Sequence, residues 1–71
     1  DPRSIAAPMT GRLSRISVKI GQKVLANDEV CILEAMKMEQ SIRSSIPGTV
    51  KEIHVEEGST VSGGDIIVQL E

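Results

Sequence analysis

No phenylalanine, tyrosine or tryptophan occurs anywhere in the 71-residue chain. Any core must therefore be built from Val, Ile and Leu, with Ala and Met filling gaps. The lack of aromatics also argues against a nucleic-acid surface, which usually joins a basic face to stacking residues. Eight Lys and Arg stand against ten Asp and Glu, with no block of one sign, so the basic face is missing as well. No apolar run has the length of a membrane span or a signal-peptide core, and no membrane contact is expected of this domain. Cysteine is nearly absent. Cys31 alone cannot form an internal disulfide, and a free thiol without an export signal favours a reducing compartment, the cytoplasm or the mitochondrial matrix. The single histidine, His54, has no partner at metal-ligand spacing, so no metal site is expected. A chain of this length is one small domain, burying only about 60% of its unfolded surface, and packing alone must hold it. The start at Asp1-Pro2 without methionine fits a fragment excised from a longer chain.

What the chain does contain is an internal repeat. Shifted by 37 positions, residues 4–34 fall on 41–71 without a gap, and ten of the 31 pairs are identical, among them Gly11/Gly48, Gly21/Gly58, Asp28/Asp65 and Leu33/Leu70. Each half reads as short strands punctuated by turns. Ile16, Val18 and Ile20 alternate with polar residues, as do Ile53 and Val55, which is the period of a half-buried strand. Turns are expected at Gly21-Gln22, Gly58-Ser59, Ala26-Asn27-Asp28 and Gly63-Gly64-Asp65, with Asn27 and Gly64 able to take a positive φ and the aspartates bonding nearby amides. Val30–Leu33 and Ile66–Leu70 are apolar enough for central strands. His54 should face solvent, and Cys31 should be a small buried hydrophobe. No segment shows helical periodicity. Two such units, each too small to bury its own face, should pair as an all-β sandwich about an approximate two-fold axis. Chain start and end would then lie close together, and the junction 35–40 would lie at the far end.

Strand residues end near Glu34-Ala35 and resume by Gln40-Ser41-Ile42, so Met36 and Lys37 are expected as the two central residues of a hairpin turn. Such a turn prefers Asn-Gly or Asp-Gly because both positions need positive φ. Met-Lys is a poor choice locally, and a site where local preference fails is often kept for another purpose. Lys37 would project from the tip between two exposed thioethers.

Glu34-Ala35-Met36-Lys37-Met38-Glu39 resembles the attachment motif of the biotinyl domain family, in which the lysine between two methionines carries biotin. The resemblance covers nearly the whole chain. Ala7-Pro8-Met9-Thr10-Gly11 is similar to the family's opening strand and turn, and Ile46-Pro47-Gly48-Thr49-Val50 to its entry into the second half. Val18–Val24 and Val55–Val61 are similar to its paired strand-turn units. Two local departures leave the motif intact: Ser44-Ser45 stands where many members have Ala-Pro, and Asn27 where many have Gly. The resemblance implies a flattened sandwich or barrel of two four-stranded sheets, with residues 1–71 forming one biotinyl domain. It implies biotin joined by an amide to Lys37, with Glu34, Ala35, Met36, Met38 and Glu39 read by a biotin protein ligase and by partner enzymes. Those partners would be a biotin carboxylase and a carboxyltransferase, between which the domain shuttles a carboxyl group without performing bond chemistry itself. The alignment of the halves leaves no room for the protruding thumb of the multi-subunit acetyl-CoA carboxylase carrier. It favours instead carboxylases of pyruvate or acyl-CoA substrates, or the related decarboxylases and transcarboxylases.

The attacking ε-amine must be neutral, whereas exposed lysines are protonated at neutral pH, so the ligase must supply base or desolvation. The carrier needs only to present a reachable lysine in a fixed pose. Two other readings remain open: a lipoyl carrier of a 2-oxo-acid dehydrogenase or glycine-cleavage system, and an unmodified adaptor module of the same fold. In the lipoyl branch an acidic residue precedes the lysine and alanine follows it, so the Met-Lys-Met flank favours biotin. No residue is expected to be catalytic.

Overall fold

A computed structural model describes all residues from Asp1 to Glu71. Eight strands follow one another in the order β1 (Ser4–Ala6), β2 (Gly11–Ile16), β3 (Lys23–Val24), β4 (Glu29–Ala35), β5 (Met38–Arg43), β6 (Gly48–Ile53), β7 (Thr60–Val61) and β8 (Ile66–Leu70). They form two four-stranded antiparallel sheets, ordered β1-β8-β6-β3 and β5-β4-β2-β7. There is no helix, and hence none long and apolar enough to cross a membrane. The apolar runs singled out in the sequence become β4 and β8, each flanked by strands on both sides.

The 37-residue offset relates the sheets strand by strand: β2 to β6, β3 to β7, and β4 to β8. Fourteen of the fifteen buried residues fall into offset pairs, such as Leu13 with Val50, Val24 with Val61, and Leu33 with Leu70. The fifteenth, Val18, has as its mate Val55, which is partly buried against the same core. Ser44, the one buried polar side chain, occupies the position of Ala7 and keeps its hydroxyl satisfied by donating to the carbonyl of Ile46. Burying such a hydroxyl without that bond would be costly.

One feature was not expected. The pattern Ile16, Val18, Ile20 predicts a strand through Ile20, yet β2 stops at Ile16, and Ile20 is 68% exposed. The reason lies in backbone hydrogen bonds to the opposite sheet. The Gly21 amide donates to the Val50 carbonyl and the Val50 amide to the Gln22 carbonyl, at 2.8 and 2.9 Å. The chain therefore leaves its own sheet after Ile16, and β3 joins β6 on the other side. The second half does the same: Gly58 donates to Leu13, Leu13 to Ser59, and β7 joins β2. Gly21 and Gly58 make these crossings at φ of 90° and 84°, where an L side chain is disfavoured. Each half thus lends two strands to the other, β1 and β3 to the sheet of β6 and β8, and β5 and β7 to the sheet of β2 and β4, so neither sheet forms from one repeat alone.

The expected turns are in place. Asn27 and Gly64 hold φ of 72° and 92°, and the carboxylates of Asp28 and Asp65 accept from the amides of Leu25 and Ser62, both at 2.8 Å. His54 is exposed and Cys31 fully buried. Burial, with a smaller contribution from the Glu29 charge, pushes the Cys31 thiol up to about 11. Since only the thiolate reacts, a disulfide-exchange reagent should label Cys31 no faster than the domain unfolds, a rate that can be followed by absorbance with and without urea.

Glu29 ties three segments together. Its carboxylate accepts from the hydroxyls of Ser17 at 2.7 Å and Ser41 at 2.9 Å. Those two bonds, helped by Arg43 and Arg15, hold its pKa below the ordinary 4.5. A lowered folded-state pKa contributes stability that is complete above the ordinary value and lost as pH falls through the folded one. Urea midpoints of the native chain and Glu29→Gln should therefore differ at pH 6 and converge as the pH is lowered toward about 3.

Candidate functional site

β4 and β5 run as a hairpin in which Glu34 faces Glu39 and Ala35 faces Met38, leaving Met36 and Lys37 as the turn. Both turn residues sit in the left-handed region, Met36 at φ 53° and Lys37 at φ 65°. A type I′ hairpin turn requires this, but for non-glycine residues it costs about 1 kcal/mol or more each. The chain therefore carries backbone strain at both Met36 and Lys37. Lys37 is exposed, and so are Met36 at 89% and Met38 at 72%. Neither methionine fills the core.

The residues around the tip separate by face. Ala35 is half-buried against the start of β2, where a Cβ on Gly11 would lie 2.6 Å from the Glu34 carbonyl oxygen and 3.1 Å from the Ala35 Cβ. Gly11 thus lets β2 approach the end of β4 closely and brace the hairpin just below its turn. On the opposite face Arg12, Glu34 and Glu39 lie in one cross-strand row, with the Ser14 hydroxyl 3.3 Å from the Glu39 carboxylate. Two carboxylates directly opposite each other weaken strand pairing, which is a second local preference overridden at this hairpin.

The structure brings all six motif residues, Glu34 to Glu39, into one continuous hairpin end. The sequence did not reveal the supporting roles of Gly11 and Ser14. Gly11 carried a signal, since it is identical with Gly48 in the repeat, and a Cβ on Gly48 would likewise press on the Leu70 side chain at 3.2 Å. Ser14 lies where the β2–β4 register shifts, and nothing in the sequence marks that irregularity.

No cavity forms on the chain, and no three His, Cys, Asp or Glu side chains gather at metal-binding distance. What the arrangement offers chemically is a single primary amine on a braced, projecting turn.

Comparison with known proteins adds to this geometry. A family model described as "biotin-requiring enzyme" matches residues 3–70. The chain is 43% identical over 67 residues to the mitochondrial propionyl-CoA carboxylase alpha chain of Homo sapiens, covering 94% of this chain and 9% of that one. It is 37% identical over 71 residues to pyruvate carboxylase of Staphylococcus aureus, covering 100% of this chain and 6% of the relative. Among solved structures, the Kluyveromyces lactis urea carboxylase superposes with a TM-score of 0.89 at 31% identity, over 96% of this chain and 6% of that one. The chain therefore spans less than a tenth of the length of each of these relatives.

Proposed function

The chain belongs to the family of biotin-requiring enzymes, and from that premise we propose that residues 1–71 are one carboxyl carrier unit with biotin amide-linked to Lys37. The observation that carries the assignment is Lys37 itself: an exposed lysine held at positive φ at the tip of a hairpin, between two exposed methionines. The strained turn restricts the backbone at the attachment point, so less freedom is lost when a partner engages it. When bound, biotin would supply the ring nitrogen that takes up and gives back a carboxyl group. Everything else is presentation. Met36 and Met38 offer apolar contact beside the amine, and Glu34 and Glu39 an acidic face below it. Gly11 and Ala35 keep the hairpin seated on the sheet.

The partners proposed are a biotin protein ligase, a biotin carboxylase and a carboxyltransferase. Tethering raises the local concentration of the carried group at each site, which is the domain's contribution to rate; no residue of its own performs the chemistry. Similarity to propionyl-CoA, pyruvate and urea carboxylases supports a carboxylase setting over a lipoyl-dependent one or an unmodified adaptor. A reducing compartment, cytoplasm or mitochondrial matrix, fits the buried free thiol of Cys31 and the mitochondrial relatives.

Incubation with a biotin ligase, biotin and ATP tests the reading by intact mass. The expected product gains one biotinyl group. An unchanged mass, or modification by a lipoate ligase in its place, contradicts it.

A further inference from the structure

The chain has three methionines, and all three are exposed. This is unusual in a domain without aromatics, where methionine would be the natural filler of core gaps. Met36 and Met38 belong to the hairpin. The third, Met9, is 40% exposed on the segment that precedes β2.

The strand register places Met9 at the same end of the molecule as Lys37. β2 and β4 are antiparallel, Arg12 faces Glu34, and Gly11 lies against Ala35, the last residue of β4. Residues before Gly11 therefore continue toward the turn. β7 pairs with the same end of β2, Val61 with Gly11 and Thr60 with Arg12, so the turn after Val61 also lies on the hairpin side. The two segments hold each other. A Cβ on Gly63 would sit 3.3 Å from the Met9 Cα, and the Gly64 amide donates to the Ala7 carbonyl at 2.8 Å. Met9 is thus fixed on a bracket beside the tip. Counting virtual bonds of about 3.8 Å, its Cα lies no more than about 17 Å from that of Met36. An ordinary interface of about 800 Å² per partner covers both.

The repeat shows that this exposure is particular to the lysine end. The mate of Met9 is Ile46, which packs against the core. Unbranched thioethers adapt to apolar walls, and an enzyme that acts on the Lys37 amine must close over this end of the molecule.

We propose that Met9 is a third apolar contact for the ligase that modifies Lys37, so that the surface read by that enzyme is built from both the hairpin and the Pro8–Thr10 segment. This rests on the carrier reading above. The partner it fits is a protein wall that is apolar opposite Met9, Met36 and Met38.

Steady-state biotinylation of the 71-residue domain tests it. Met9→Glu should lower kcat/KM about tenfold, chiefly through KM, because Met9 touches the partner and not the reacting amine. Met9→Leu should restore most of the loss. Ile20→Glu, at a more open apolar site on the loop leaving the other end of β2, should leave kcat/KM unchanged. As a second readout, ligase at saturation should slow peroxide oxidation of Met9 to the sulfoxide, measured by peptide mass. This also decides the matter if Met9→Glu folds poorly. Native kcat/KM in Met9→Glu, or unprotected Met9 beside protected Met36 and Met38, overturns the inference while the carrier reading stands. Failure to biotinylate the unaltered chain overturns both.

Discussion

Leu33→Ala should destabilise the domain by about 2–5 kcal/mol, the range for a large-to-small change in a close-packed core. Leu33 has no exposed surface and lies on β4 between Leu13 on β2 and Gln40 on β5. One of its methyl groups would be 3.1 Å from a Cβ on Gly11, which shows how tightly β2 closes over it. The cavity would open directly below the hairpin. A chain of this length has a total stability of only about 4–11 kcal/mol, so the variant should be partly unfolded at 37 °C. Its urea midpoint should fall far below that of Ile20→Ala, whose side chain is 68% exposed and whose loss should be within about 0.5 kcal/mol of neutral. Equal losses in the two variants would show that the core is not centred on β4.

The second large effect concerns Lys37. Lys37→Arg keeps charge and length but removes the primary amine, so biotin incorporation should fall to background while the fold is retained. Lys37→Gly should also abolish incorporation, yet raise stability by about 1 kcal/mol, because glycine takes φ 65° without the steric cost that lysine bears. Opposite signs in stability and modification would separate a strained presentation site from an ordinary surface lysine. If Lys37→Gly were less stable than the native chain, the turn would not be strained and the positive φ would have no bearing on the assignment.

Much of the architecture was legible because the repeat carries it. Identical residues at an offset of 37 gave two equivalent halves, and the buried set follows that offset almost throughout. The turn chemistry of Asn27, Asp28, Gly64 and Asp65 was legible for a local reason, since each residue acts on backbone within three positions. The exchange of β3 and β7 between sheets was not. It depends on hydrogen bonds from Gly21 to Val50 and from Gly58 to Leu13, residues far apart in sequence, and hydrophobic alternation alone extended the strand to Ile20. At the hairpin, the motif and the mismatch between Met-Lys and turn preference marked Met36 and Lys37. The brace from Gly11 was marked only by the identity of Gly11 with Gly48, because closeness of approach has no sequence period of its own.

The most direct test of the carrier assignment is peptide-resolved mass analysis after ligation with biotin and ATP. The account predicts one biotinyl group per chain, located on the peptide containing Lys37, and none on Lys37→Arg. Biotin on Lys19, Lys23 or Lys51, or label surviving in Lys37→Arg, would contradict it.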